Sequence, residues 1–369
     1  MNRPHLDFAL ALHHQLPGEG NLPWSPYSVA SALGLAAAGA RGRTYDELAG
    51  ALAPGGDLAG VGRMLRDSAQ PREAEAAVAN TLWMRAGWHF LAGYQETVRG
   101  WPGGQSRTVD FAGDPSGARM KINEDVSFTT RGLIQELLAE GSVHPDVVAV
   151  IVNALYLKVA WLNPFAEAAT VTADFHTPSG ARPVPTMRQQ ESFPYAAAGG
   201  WRMASLPSAG DVVVDLLLPD SAETPGATVP DGTVPDGLVP DGTALRALYG
   251  RLRPTKLELH LPRFRIEVAV SLSACLRRLG VTAAFDKEAA DLSGITDTDR
   301  IWIEDVVHKA VLRVDEQGFE GAAATAVVMR TVSMDPSTPV PFHVDRPFLL
   351  LVRHRHTGAI YFLARVVDP

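Results

Sequence analysis

Residues 314–348 read VDEQGFEGAAATAVVMRTVSMDPSTPVPFHVDRPF, and no other part of the chain has a comparable pattern. The segment begins like a strand that ends in acidic residues, continues through small residues, becomes β-prone and ends in Pro, Ser and Thr. Its part from Gly318 to Pro341 is predicted as a long connection without regular structure, which in a compact protein is usually functional. The pattern predicts an exposed loop that can become a strand, since these side chains are small enough to pass between existing strands: Gly321, Ala322, Ala323, Ala324 and Thr325.

The composition around this segment is that of a folded, water-soluble protein. The chain has 369 residues, of which 46% are hydrophobic and 20% are charged. Its net charge of -8 provides no positive field to attract phosphates, so we expect no nucleic-acid partner. The longest apolar run, 147–161, contains Asn153 and Lys158 and is too short to span a bilayer, so we expect no membrane partner.

We expect no secretion signal at the start of the given sequence, because it shows no basic region followed by an apolar stretch and a cleavage site. The compartment is therefore left open between the cytoplasm and secretion of an already processed chain. With its single cysteine, Cys275, the chain has no intramolecular disulfide and no cysteine-rich metal site. We expect Cys275 to pack as a small hydrophobic residue.

Hydrophobic periodicity predicts a mixture of helices and strands that does not alternate regularly. Ser25 and Pro26 predict the start of a helix that ends near Gly39. Further helices are predicted over 90–98 and 120–139, and a hairpin over 348–367. Strands are predicted over 79–84, 147–161, 202–207 and 211–219. Residues 228–242 repeat a five-residue unit ending in Pro-Asp-Gly three times, which predicts a low-complexity surface insertion.

Sequence patterns of the common catalytic and cofactor sites are missing. The chain has no Gly-x-Ser-x-Gly elbow, no phosphate-binding glycine loop and no His-Glu-x-x-His helix. The adjacent His13 and His14 point to different sides of their helix, and His354 and His356 are not expected to form a chelate either. We therefore expect no enzymatic activity, no cofactor and no metal.

Several motifs together resemble the serpins, a family of serine protease inhibitors, over nearly the whole chain and in the family's order. The N-terminal half carries NLPWSPYSVASALGLAAAGARGRTYDEL (21–48), AVANTLWM (77–84), INEDVSFTTRGLIQELL (122–138) and IVNALYLKVAWLNPF (151–165). The C-terminal half carries LELHLPRFRIE (257–267), LRRLGVTAAFDKEAADLSGIT (276–296), VVHKAVLRVDEQGFEGAAATAV (306–327) and FHVDRPFLLLVRHRHTGAIYFLARVVDP (342–369).

The resemblance implies an α+β serpin-like fold in a single domain, 1–369, with three β-sheets, eight or nine helices and an exposed reactive-centre loop at about 318–341. It implies a central sheet of five strands that the loop enters as a sixth. A polar cluster under that sheet would be formed by Ser25, Ser28, Asn153 and His308. The upper opening, where insertion starts, would lie at Trp161 and Glu316. The hinge of the loop would comprise Glu316, Gly318, Phe319, Gly321, Ala322, Ala323, Ala324 and Thr325.

Family spacing from Glu316 implies a reactive bond between Val332 and Ser333. Valine before the bond suits the small apolar pocket of elastase-like or subtilisin-like proteases. Two other registers stay open: Met334 would indicate chymotrypsin-like targets and Arg330 trypsin-like ones. The implied partner is a target serine protease in a covalent complex, and the inhibitor is expected to be a monomer.

The implied mechanism inserts the cleaved loop into the central sheet and traps the acyl-enzyme. Strand alternation would point Phe319, Gly321, Ala323 and Thr325 into the core. Phe319 departs from the family's small residue there, so we expect its ring to slow insertion by overpacking. On this reading, Phe319→Thr would lower the number of inhibitor molecules consumed per protease. The alternative function is a non-inhibitory binding or chaperone-like protein, for which a charged or proline-containing hinge would be expected.

Overall fold

The computed structural model describes residues 2–18, 20–220, 239–319 and 337–369. These residues form eight α-helices: α1 (Arg3–His13), α2 (Pro26–Gly39), α3 (Gly42–Leu52), α4 (Leu58–Asp67), α5 (Ala92–Arg99), α6 (Pro115–Thr129), α7 (Gly242–Arg251) and α8 (Ser273–Arg278). The predicted start of α2 is confirmed: the Ser25 side chain accepts a hydrogen bond from the Ser28 amide, and Pro26 occupies the first turn.

The same residues form fifteen strands. They are β1 (Leu22–Trp24), β2 (Ala74–Arg85), β3 (Gly104–Val109), β4 (Ala149–Ala160), β5 (Val171–Thr177), β6 (Gly180–Ala198), β7 (Trp201–Pro207), β8 (Val212–Pro219), β9 (Arg253–Pro262), β10 (Phe264–Ser271), β11 (Asp305–Val314), β12 (Gly318–Phe319), β13 (Val340–His343), β14 (Phe348–His354) and β15 (Ile360–Val366). The predicted C-terminal hairpin is confirmed as the antiparallel pair β14–β15.

The strands join into two hydrogen-bonded sheets among the described residues. The larger has the order β1-β15-β14-β8-β7-β6-β9-β13, with β5 also paired to β6. Two of the three expected sheets are joined in it, because the 19-residue β6 pairs with β5 and β9 along one part and with β7 along another. The smaller sheet has the order β10-β11-β12-β4-β2-β3 and is the central sheet of the prediction.

Both faces of the central sheet are covered. The alanine- and glycine-rich α2 packs under one face as part of the larger hydrophobic cluster, and α6 covers part of the other face through a second cluster. Every residue of β4 except Lys158 is therefore buried, which explains its nearly continuous apolar sequence. Among the described helices, none has both the length and the apolar character needed to span a membrane.

Two sequence-based boundaries were wrong. The helix predicted over 120–139 is α6, which ends at Thr129, because Arg131 and Gly132 adopt positive φ angles of 53° and 79°. The connection predicted from Gly318 to Pro341 is shorter, because Gly318 and Phe319 form β12 and Pro341 lies within β13. Both ends are held by backbone pairing to neighbouring strands.

Candidate functional site

The central sheet changes its pairing partway along β4 and β11. Residues 305–309 of β11 pair directly, in parallel, with residues 150–154 of β4. Further along, β12 lies between the two strands and pairs antiparallel with both, through Phe319 opposite Val314 and opposite Val159. The two strands are therefore neighbours at one end of the sheet and separated by a two-residue strand at the other.

A buried polar cluster marks the part where the two strands still pair. Asn153 of β4 and His308 of β11 are opposite each other in the register, and Asn80 of β2 is opposite Asn153. The Asn153 side-chain amide donates to the carbonyl oxygen of Ser28 over 2.7 Å, to Ser28 Oγ over 2.6 Å and to Asn80 Oδ1. Hydrogen bonds thus connect three strands of the sheet to α2 beneath them.

His308 is held as a neutral imidazole with a defined tautomer. Its Nε2 accepts a hydrogen bond from the Ser25 backbone amide over 3.1 Å, so the ring proton is on Nδ1. Nδ1 then donates to Asn153 Oδ1 over 2.6 Å. Burial, which disfavours the charged ring, lowers the pKa of His308 to about 3.

The predicted polar cluster of Ser25, Ser28, Asn153 and His308 is therefore brought together as one fully buried hydrogen-bonded group. Asn80, which was not among the predicted site residues, belongs to the same group. Its signal was an asparagine in the middle of a mostly apolar strand, a position at which a buried amide needs a partner.

A tight turn joins β11 to β12. The Asp315 amide donates to the Gly318 carbonyl over 3.0 Å, and the Asp315 side chain accepts from the amides of Gln317 and Gly318. Gly318 has a φ of 150°, and an added Cβ there would lie 2.2 Å from the Val159 carbonyl oxygen. Only glycine fits this close approach to β4.

Phe319 is seated in the core next to Trp161. Its side chain is 1% exposed, and the centroids of the two aromatic rings are 5.2 Å apart. The ring therefore already fills a space under the sheet, which argues against the expected slowing of insertion by overpacking. Phe319 fastens the first residues of the loop to the sheet.

Trp161 and Glu316, the two residues predicted for the upper opening, meet at this turn, Glu316 within it and Trp161 against it. The Trp161 indole N–H donates to the Asp315 carbonyl over 2.8 Å. Glu316 is buried, accepts a hydrogen bond from Thr170 Oγ1 over 2.7 Å and lies 3.6 Å from the Arg263 guanidinium. A cavity of about 990 Å³, lined by Thr170, Arg263, Arg313 and Glu316 among others, opens beside the turn.

The remaining predicted site residues lie outside the described residues: Gly321, Ala322, Ala323, Ala324, Thr325, Arg330, Val332, Ser333 and Met334. Most of the predicted insertion, 228–238, lies outside them as well. Cys275 is buried, as expected for a packed thiol, and its Sγ contacts the Gln15 carbonyl at 3.1 Å.

Comparison with known proteins agrees with this arrangement. The family model described as "Serpin (serine protease inhibitor)" matches residues 4–369. Leukocyte elastase inhibitor from Sus scrofa is 34% identical over 377 residues, covering 99% of this chain and 97% of the relative.

Two solved structures share the fold over nearly the full chain. Serpin48 of the insect Tenebrio molitor, described as highly specific, has a TM-score of 0.84 at 26% identity and covers 100% of this chain and 97% of its own. Human thyroxine-binding globulin, in a complex with thyroxine, has a TM-score of 0.85 at 25% identity. The match covers 99% of this chain and 97% of the globulin chain. A split central sheet with a polar cluster at the split, together with a family match across the chain, means that this protein belongs to the serpin family.

Proposed function

We propose that this chain is a suicide-substrate inhibitor of serine proteases that acts as a single-domain monomer and has no catalytic residue of its own. The protease would cleave the loop, and the cleaved loop would enter the central sheet as a full-length strand between β4 and β11. The observation that carries the proposal is β12, which already pairs with both strands in the antiparallel sense that insertion requires, with β4 through both residues and with β11 through Phe319.

Continuing the register of β12 gives each later loop residue a position in the sheet. Gly318 and Phe319 are opposite Ala160 and Val159 of β4, so each step along the loop moves one residue back along β4. In this register Thr325 arrives opposite Asn153. The pairing of Phe319 with Val314 continues to His308, so Thr325 arrives opposite that residue as well.

Insertion by this route would separate Asn153 from His308. The two side chains are now joined by a direct hydrogen bond, and Thr325 would lie between their strands. Its hydroxyl can both donate and accept, so it is suited to replace the partner that each would lose. The polar cluster would thus hold β4 and β11 together until the inserting strand has advanced as far as Thr325. We call this cluster the latch.

Side-chain alternation agrees with this route. Phe319 belongs to the hydrophobic cluster on the α2 side of the sheet, with Leu155, Leu157 and Val159 of β4. Gly321, Ala323 and Thr325 would point to that side, and Ala322 and Ala324 to the α6 side. Small residues on both faces enter without the overpacking that larger side chains would cause.

The driving force would come from completing the sheet. About a dozen inserted residues would add backbone hydrogen bonds worth ~0.5–1.5 kcal/mol each, on the order of ten kcal/mol together. The uncleaved state would then be held by a barrier, because both ends of the loop are fixed, one at β12 and the other at β13.

Cleavage would remove that restraint. The protease serine attacks the carbonyl carbon of Val332, the bond to the Ser333 nitrogen breaks, and the new amine takes the proton carried by the protease histidine. Val332 remains joined to the protease as an ester. Insertion would then carry the attached protease along the sheet and distort its active site before water hydrolyses that ester.

An elastase-like protease is the target class that fits best. Valine suits a small apolar specificity pocket, and the relative from Sus scrofa is named as an inhibitor of leukocyte elastase. If Met334 were the residue before the cleaved bond, a chymotrypsin-like target would be favoured instead. If Arg330 were that residue, a trypsin-like target would be favoured.

The test is incubation with elastase, subtilisin, chymotrypsin and trypsin, followed by denaturing electrophoresis and mass spectrometry of the released peptide. We expect a covalent band with elastase and a peptide that begins at Ser333. The proposal would be overturned if the proteases cleaved the loop and none of them formed a covalent band. A non-inhibitory binding protein would then be the better explanation.

A further inference from the structure

Three potential metal ligands meet at the edge of the larger sheet, away from the loop-insertion route. Strand β9 alternates, so that Leu257, Leu259 and Leu261 are buried while Glu258 and His260 lie on the opposite face. The edge strand β13 pairs in parallel with β9 and places His343 opposite His260. Two imidazoles and one carboxylate therefore share one patch of the sheet.

The distances within this patch are close to those of a coordination sphere. Glu258 Oε1 lies 3.4 Å from His260 Nε2 and 3.8 Å from His343 Nε2. One potential ligand atom from each residue lies within 4.8 Å of the others. Ligands at ~2.0–2.2 Å from a tetrahedral zinc ion are separated by about 3.4 Å, so these three atoms are close enough to reach one ion once the rings rotate.

The two imidazoles lie side by side in the patch, and one of them has a ring nitrogen without a partner. His343 Nε2 is buried and has no hydrogen-bond partner among the described residues. The rings of His260 and His343 stack in parallel, with centroids 3.9 Å apart and an interplanar angle of 5°.

The charged groups around the patch favour some classes of metal ion over others. Arg188 of β6 is opposite His260, and the Lys256 ammonium on β9 lies 3.3 Å from the Ser337 carbonyl oxygen. With one carboxylate and these cations nearby, the patch does not suit calcium or magnesium, which need several oxygen ligands. Two imidazole nitrogens and one carboxylate suit zinc and neighbouring transition metals.

We propose that Glu258, His260 and His343 bind one Zn²⁺ ion, with water in the fourth position. Binding requires the two rings to leave their parallel stack, by rotation about the broad χ2 torsion, so that both nitrogens point to the ion. This inference does not depend on the proposed inhibitory function.

The ion would fasten β13 to the rest of the sheet. β13 has four residues and pairs only with β9, through positions 340–343 and 257–260, in the described part of the chain. It also follows the loop directly and fixes its C-terminal end. Zinc would therefore add a cross-link at the point where the loop rejoins the sheet, and raise the thermal unfolding midpoint of the whole protein.

The experiment measures binding of Zn²⁺ to the chelator-treated full chain by calorimetry, and of Co²⁺ by its visible absorption, at pH 7.5. The variants are Glu258→Gln, His260→Ala and His343→Ala, with circular dichroism to verify folding. The matched control is His144→Ala, because His144 lies 4.0 Å from Glu304 in a simple histidine–carboxylate pair.

We expect one ion to bind per chain and Co²⁺ to show the intense absorption of tetrahedral coordination. Binding should be at least tenfold weaker in each of the three variants and unchanged in the control. Zinc should raise the unfolding midpoint of the parent and the control alone. Equal zinc affinity in the parent and in Glu258→Gln, which keeps the side-chain shape, would overturn the proposal. So would octahedral Co²⁺ absorption or a loss of affinity in His144→Ala as large as in His343→Ala.

Discussion

His308 of β11 donates a hydrogen bond to Asn153 of β4 over 2.6 Å at the position where the two strands are still direct neighbours. Towards β12 the strands are separated, and towards Asp305 they are paired. The bond therefore lies at the boundary between the open and the closed part of the central sheet. Any strand that enters beyond this point must break it.

His308→Ala is expected to make the sheet easier to open. The variant loses the bond to Asn153 and the one from the Ser25 amide, and the unpaired buried groups destabilise the closed sheet by about 1–3 kcal/mol each. A synthetic peptide with the sequence of residues 320–332 should insert faster into this variant than into the parent, measured as loss of inhibitory activity over time.

His13→Ala is the control for His308→Ala. His13 is also a buried imidazole, and it accepts a hydrogen bond from the Trp24 indole over 2.9 Å, but it does not join β4 to β11. It should lower the unfolding midpoint without changing the rate of peptide insertion. Equal acceleration in both variants would show that general destabilisation, not the latch, controls opening.

Ala323→Arg is expected to convert the inhibitor into a substrate. In the register of β12 this side chain would point into the cluster on the α2 side of the sheet, where burial of an unpaired guanidinium is strongly unfavourable. Elastase should cleave the variant with little or no covalent complex on a denaturing gel. Ala323→Ser, which keeps a small side chain, should still form the complex. Unchanged trapping by Ala323→Arg would contradict insertion along this route.

Phe319→Thr should not improve inhibition, contrary to the expectation from sequence. The ring is already buried against Trp161, so its removal leaves a cavity instead of relieving an obstacle. By analogy with Phe→Ala changes, β12 should lose about 3 kcal/mol of docking free energy. We expect Phe319→Thr to alter the tryptophan fluorescence. The number of inhibitor molecules consumed per elastase molecule should stay the same or rise. Phe319→Leu should resemble the parent in both measurements. A lower number for Phe319→Thr would restore the overpacking argument.

The sequence motifs were sufficient to predict the fold and four of the five residues of the polar cluster; Asn80 also lies within a quoted motif, but its partners became evident only from the pairing of β2 with β4. They did not predict the seating of Phe319, which depends on the space beside Trp161 and on the close approach of Gly318 to Val159. Local periodicity also placed the end of α6 too late, because the helix stops at a left-handed Arg131–Gly132 pair and not at a change in hydrophobicity.

The proposed zinc ligands come together through a contact that the sequence does not indicate. Glu258 and His260 are two residues apart on one strand, but His343 joins them only through the parallel pairing of β13 with β9. No spacing along the chain indicates that contact. Histidines that are close together in the sequence do not come as close in space. The ring centroids of His354 and His356, for example, are 6.0 Å apart.

Stability is expected to fall when the pH is lowered from about 6.5 to 5. Burial lowers the pKa of His5 to about 4 and those of His13 and His308 to about 3, whereas the unfolded chain titrates near 6.5. In this window the unfolded state therefore binds more protons than the folded state, and each imidazole loses about 2 kcal/mol of stabilisation by pH 5. Urea unfolding midpoints at several pH values measure the effect. Replacing His13 by Leu should reduce the slope by about one third, and an unchanged slope would argue against this origin.

Gly318→Ala is expected to release β12 from the sheet. The added methyl group would lie 2.2 Å from the Val159 carbonyl oxygen, and the backbone of β4 has no freedom to withdraw because β4 also pairs with β2. Gly180→Ala is the matched control: its φ is 129°, and nothing lies within 4 Å of its added Cβ, so it shares the backbone strain without the clash. Amide hydrogen exchange at Val159 and Phe319 should accelerate at least tenfold in Gly318→Ala and remain unchanged in Gly180→Ala. If both variants retained slow exchange there, pairing of β12 with β4 would not depend on the close approach at Gly318, and seating of Phe319 alone would hold the loop in the sheet.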